Sequence, residues 1–180
     1  FFLSPDGKTD PRKELEATLA AFFQDEHLDD SHPRCRFVAR YEWLKKELGI
    51  DESMLPSVSC AEFHEAYGKI KPKSAVLVFP SAYINGPAST FGHTLIRIDS
   101  DYQSKLLSYA ATYGANADDT NGMLYAFKGI FGYYNGYFTI LPYYEKIKEY
   151  NDLEQRDIWE YRLNLTEEEV SRMLLHLWEL

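Results

Sequence analysis

Two periods divide the chain. Through its first third, apolar residues return at helical spacing: Leu15, Leu19, Phe22 and Phe23 form a stripe behind Asp10 and Pro11, which read as N-cap and first helical residue. After the polar break Asp29-Asp30-Ser31-His32-Pro33, a second helix is expected from about Phe37 to Leu48, stopped by Gly49. Ser59 with Glu62 three residues on is a capping box, opening a third helix through Phe63 and Tyr67 that Gly68 to Pro72 closes. The period then shortens. Ala75–Phe79 is wholly apolar, the pattern of a buried strand, and Pro80 to Gly92 is a turn-rich loop. Thr94–Asp99 reads as a second strand, Leu106–Tyr113 as a third, and Tyr134–Leu141 as a fourth. Between the last two lies a short helix, Gly122–Phe131, and Pro142 opens another that reaches Tyr150. Ile158–Leu165 alternates cleanly, and Thr166 with Glu169 forms a second capping box that starts the terminal helix. The sum is an α+β fold in one domain of 180 residues: a helical part, 1–73, packed on a mainly antiparallel sheet with helices, 74–180.

Composition narrows the function. Against 19 Lys plus Arg stand 28 Asp plus Glu, a net charge of −9, which argues against a general nucleic-acid binder with its basic face. No apolar run approaches the roughly 20 residues a membrane helix needs. Two cysteines are too few for a disulfide scaffold or a four-thiolate zinc site. The chain starts Phe1-Phe2-Leu3 and stops inside an apolar-periodic run at Trp178-Glu179-Leu180, so the functional unit is expected to continue past residue 180.

The loop Phe79–Thr94 gathers two serines, an asparagine, a tyrosine and a histidine between apolar strands. His93, after Gly92 at the start of a strand, can present its imidazole to a cleft as general base, or simply bond a neighbouring carbonyl. His27, His32, His64 and His176 read as solvated or capping residues, and no pair stands at convincing metal-ligand spacing, so no metal and no cofactor is expected. Cys35 and Cys60, separated by 25 positions, leave three readings open: one disulfide, a Cys60–His93 nucleophile–base dyad with Cys60 near a helix N-terminus, or two structural thiols. Ser81 and Ser89 lack a nucleophile elbow; with Asn85 they bond their own loop or line a groove. The aromatic run Phe131–Phe138 is either an aromatic-rich sheet or a surface for a lipid headgroup region. Without interleaved Lys or Arg it does not fit single-stranded nucleic acid.

Three stretches resemble a bacterial envelope family, the Lnb-type N-terminal periplasmic domains. They are His32–Phe37 with Ala39-Arg40-Tyr41 and Trp43-Leu44; Pro80–Asn85 with Pro87–Thr94; and Ser108-Tyr109-Ala110 with Gly114-Ala115. The resemblance implies a lipoprotein N-acyltransferase that moves an acyl chain from phospholipid to the α-amino group of a lipoprotein's lipid-modified N-terminal cysteine. It also implies a permuted papain-like fold of the lecithin:retinol acyltransferase-like kind, in which the His strand precedes the Cys helix. On that pattern His93 is the general base, and the nucleophilic Cys lies on a helix beyond Leu180. Ser81, Tyr83, Asn85, Ser89, Tyr109 and Asn116 are then candidates to line the substrate groove or support the imidazole. A thiol hydrolase or amidase of envelope substrates, and a non-catalytic envelope interaction domain, are the alternatives. The implied partners are bacterial lipoproteins, phospholipid and a C-terminal membrane or further domain of the same chain, with no nucleic acid.

Overall fold

A computed structural model describes residues 1–81, 93–102, 104–115, 119, 121–148 and 157–180. It divides into two compact units, residues 1–69 with 171–180, and residues 70–170. Among the described residues are seven helices and one five-stranded antiparallel sheet, so the fold is α+β.

The first unit is helical. Helix α1 (Pro11–Phe22) begins as expected: the Asp10 carboxylate accepts the Arg12 and Lys13 N–H groups, and Pro11 needs no acceptor. The polar break contains a short turn of helix, α2 (Pro33–Arg36), followed by α3 (Val38–Leu48). Gly49 ends α3 at φ 61°, a left-handed position that glycine enters without a Cβ clash. His32 caps α2 and is fully buried rather than solvated. Its Nδ1 accepts the Arg34 N–H and its Nε2 faces the Gln24 carbonyl, both at 3.1 Å. An amide can only donate and a carbonyl only accept, so the ring is neutral with its proton on Nε2. Burial pushes its pKa down accordingly.

The Ser59 capping box does not form as expected. Helix α4 (Ala61–Ile70) has its Glu62 N–H satisfied by the Asp30 carboxylate at 2.9 Å, and the Ser59 N–H bonds the Leu28 carbonyl. A loop some 30 residues back in sequence has replaced the local cap. The Cys35–Cys60 disulfide, with its Cα atoms 5.1 Å apart, ties α2 to the start of α4 and brings that loop within reach. Phe22, Phe37 and Leu44 form the core of this unit. Beside it Arg40 bonds Glu14 at 2.9 Å and stacks on the Phe37 ring, while Glu179 of α7 (Glu167–Glu179) accepts the Arg40 N–H.

The second unit is the sheet, ordered β4-β3-β2-β1-β5: β1 (Ser74–Pro80), β2 (Leu95–Asp99), β3 (Tyr109–Ala115), β4 (Gly136–Pro142) and β5 (Ile158–Arg162). Helices α5 (Gly122–Ile130) and α6 (Tyr143–Lys148) follow β3 and β4. The third strand starts later than its apolar pattern suggested. Ser104 accepts the Leu106 N–H and folds Lys105–Leu107 into a 3-10 turn. Pro142 ends β4 rather than opening α6, and β5 stops at Arg162, short of Leu165. The Thr166–Glu169 box forms in full, with each residue's side chain accepting the other's backbone N–H.

Val76, Val78, Leu95, Ala110 and Tyr143 make the core of one sheet face, under α6. Arg97 lies on that same face, 1% exposed. Its guanidinium bonds Asp99 at 2.6 and 3.2 Å and reaches across β1 to Glu160 on β5. Tyr143 Oη donates to the same Glu160 at 3.1 Å, and Lys105 approaches it at 3.3 Å. Burial and the Glu160 charge push the Tyr143 phenol up to about 12. Burial also works to raise the Glu160 pKa, but the hydrogen bonds and charges of Arg97 and Lys105 outweigh it and hold it below the ordinary glutamate value.

The sign of the pH effect follows. A depressed carboxylate pKa contributes stability above about pH 4.5, and that contribution is lost as pH falls through the lower folded value. Glu160→Gln leaves Arg97 short of one charged partner and is expected to cost about 2–4 kcal/mol at pH 7. Denaturant unfolding against pH checks it: the variant should also show a shallower acid limb below about pH 4.5. An acid limb identical to the parent's would refute the assignment.

Candidate active site

The antiparallel register collects the ends of β1 and β3 and the starts of β2, β4 and β5 at one end of the sheet. His93 stands there, two residues before Leu95, half-buried. Leu95 pairs with Thr112 of β3, so the imidazole and the Thr112 hydroxyl are diagonal neighbours on the same face. They meet: His93 Nε2 lies 2.7 Å from Thr112 Oγ1. Ser81 is at this end too, its N–H bonding the Asp157 carbonyl at 2.8 Å and carrying the β1–β5 ladder one step past Pro80. Tyr109 is not. It pairs with Ile98 and Pro142 at the opposite end of the sheet, about 17 Å along β3 from the level of His93 at the strand rise of about 3.4 Å per residue. Tyr83, Asn85, Ser89 and Asn116 lie outside the described residues.

A histidine at the start of a strand, with one ring nitrogen engaged by a neighbouring hydroxyl, has its ring oriented by that contact. That is what a general base requires. Thr112 is the partner that reading the sequence did not single out. Its signal was weak: one threonine among the alanines and tyrosines of Tyr109–Ala115, meaningful only once the β2–β3 register is known.

Both cysteines are consumed in the Cys35–Cys60 disulfide. The Cys60–His93 dyad is thereby excluded, because a disulfide sulfur has no proton to give and no thiolate to attack with. The bridge belongs to the helical unit, where the Trp178 indole N–H donates to the Cys35 carbonyl at 2.8 Å.

Comparison with known proteins gives two matches along the chain. Residues 62–180 match the family model described as Lnb N-terminal periplasmic domain, and residues 1–47 match one described as Domain of unknown function (DUF7843). No curated protein and no solved structure matches.

Two measurements test this geometry. Intact mass after alkylation under denaturing conditions should show no labelled thiol until reductant is added. Reduction should then lower stability by roughly 3 kcal/mol, the chain-entropy value for a closed loop of this size. Labelling without reductant would remove the bridge. For the imidazole, Thr112→Val deletes the hydroxyl at nearly constant shape and should shift the His93 Nε2 resonance in nitrogen NMR, whereas Thr112→Ser should restore it. A spectrum unchanged in Thr112→Val would show that the bond does not form.

Proposed function

The chain belongs to the family of Lnb N-terminal periplasmic domains, and from that premise we propose that it carries the general base of a thiol-dependent acyltransferase in the bacterial envelope. The reading rests on one observation, the His93 Nε2–Thr112 Oγ1 contact at 2.7 Å where the sheet gathers its strand ends. The family's periplasmic compartment supports an oxidised Cys35–Cys60 bridge, and with both of these cysteines paired the nucleophile in this reading is the downstream cysteine that the family resemblance implies.

With Thr112 orienting the ring, the thiol proton passes to the His93 imidazole as sulfur attacks a phospholipid acyl ester. The ester C–O bond breaks, the lysophospholipid oxygen leaves with that proton, and a thioester remains. The α-amine of a lipoprotein's N-terminal residue then attacks the thioester. His93 takes a proton from the amine, the C–S bond breaks, and the thiolate recovers the proton. In this reading Ser81, whose backbone extends the β1–β5 ladder at this end, lines the approach. The same dyad with water in place of the amine would hydrolyse the thioester, which is the hydrolase alternative.

The test uses the full-length protein. Incubated with phospholipid vesicles and then denatured, it should carry an acyl mass on a cysteine that hydroxylamine releases. His93→Ala should reduce the rate of adduct formation by about 10²- to 10⁴-fold, the usual worth of a positioned base. A His93→Ala protein acylated at the parent rate would overturn the base assignment. Intact biological function in that variant would favour an envelope interaction domain instead.

A further inference from the structure

Helix α5 buries none of its nine residues. Met123 and Ile130, near its two ends, are 86% and 79% exposed, and the rings of Phe127 and of the C-cap Phe131, tilted to each other with centroids 4.6 Å apart, are exposed as well. A helix that is apolar on its outer face has no reason to face water in an acidic protein. The sheet repeats the pattern. On the face opposite the Val78–Leu95 core, Tyr113 pairs with Phe138 and Phe79 pairs with Trp159. Continuing the register places these four in one row across the sheet, with Thr94 between the two pairs. All four rings are exposed, Trp159 at 58%. The row is one residue inward from the level of His93, and α5 leaves β3 and rejoins β4 at that same end.

We propose that this end of the sheet unit docks on the surface of a phospholipid bilayer, with α5 lying in the interface and the aromatic row beside it. Charge chooses the occupant. The segment Asn121–Pro142 contains no carboxylate and a single cation, in a chain with 28 carboxylates and a net charge of −9. The cation, Lys128, is neutralised by Asp119 at 2.8 Å. The patch is therefore electroneutral, as a zwitterionic headgroup layer requires, and offers nothing to a strongly basic or acidic partner. The outward side chains of α5 also lack hydrogen-bonding groups, whereas a protein interface carries roughly one hydrogen bond per 100–200 Å². A second copy of the chain would bring another −9 against the first. Exposed tyrosines around the patch, Tyr133 and Tyr137 among them, suit the headgroup level, with an apolar ring and a wet hydroxyl. The docking is independent of the acyltransferase reading, since it concerns binding alone.

Flotation of the 180-residue protein with phosphatidylethanolamine–phosphatidylcholine vesicles tests it. Binding should survive a rise in salt and should be no tighter to phosphatidylglycerol vesicles. Met123→Ser with Ile130→Ser should weaken the partition about tenfold or more, because both side chains leave the apolar phase. Both residues are exposed, so circular dichroism should report an unchanged fold, and the exposed Met54→Ser on the helical unit should bind as the parent does. Absence of parent binding, binding indifferent to the double substitution, or binding abolished by salt would each overturn the proposal. So would light scattering that shows a dimer which the double variant dissociates.

Discussion

Arg97 is the charge around which the sheet unit is organised. A guanidinium on the central strand β2, almost wholly removed from water, is stable only with its donors engaged. Its partners are spread over the unit: Asp99 on its own strand and Glu160 on β5, two strands away, with the Tyr143 ring of α6 4.8 Å from the guanidinium carbon. One buried cation thus ties an edge strand and a helix to the central strand. His93 lies on the lead-in to that strand. Its position relative to Thr112 follows from the β2–β3 pairing, and the same strand carries both His93's lead-in and Arg97.

Features decided within four residues could be read from the sequence. The Asp10–Pro11 start, the Gly49 stop and the Thr166–Glu169 box all behave as their local chemistry requires. The apolar run Ala75–Phe79 became the interior strand β1, paired on both sides. Expectations failed where a distant group intervened. Ser59 lost its cap to Asp30, which reaches α4 only because the loop is held nearby. Leu106 and Leu107 carry a strand pattern, yet a side chain two residues away bends them into a turn.

The site shows the same division. His93 stood out from its neighbours alone, as a histidine between glycine and an apolar strand. Thr112 could not, because nothing in Tyr109–Ala115 says which residue of β2 faces it. Tyr109 was grouped with His93 by a motif, and the strand carries it to the far end of the sheet. Arg97 was not singled out: it alternates with Ile96 and Ile98 as a solvated position would, and both its inward face and its partner, 63 residues on, are set by topology.

Glu160 has one more effect, on solubility rather than on folding. Among the described residues strand β5 closes the sheet at one side with only β1 as its neighbour, and its outer backbone edge could template pairing with another extended chain. Two rings flanking Glu160, Trp159 and Tyr161, are exposed and would favour such stacking. A carboxylate in the middle of that strand, turned inward to a buried arginine, works against it: a foreign strand laid alongside would have to desolvate Glu160 and compete with the contacts that hold it. The residue that clamps the last strand to the sheet also guards it against becoming the first strand of an aggregate.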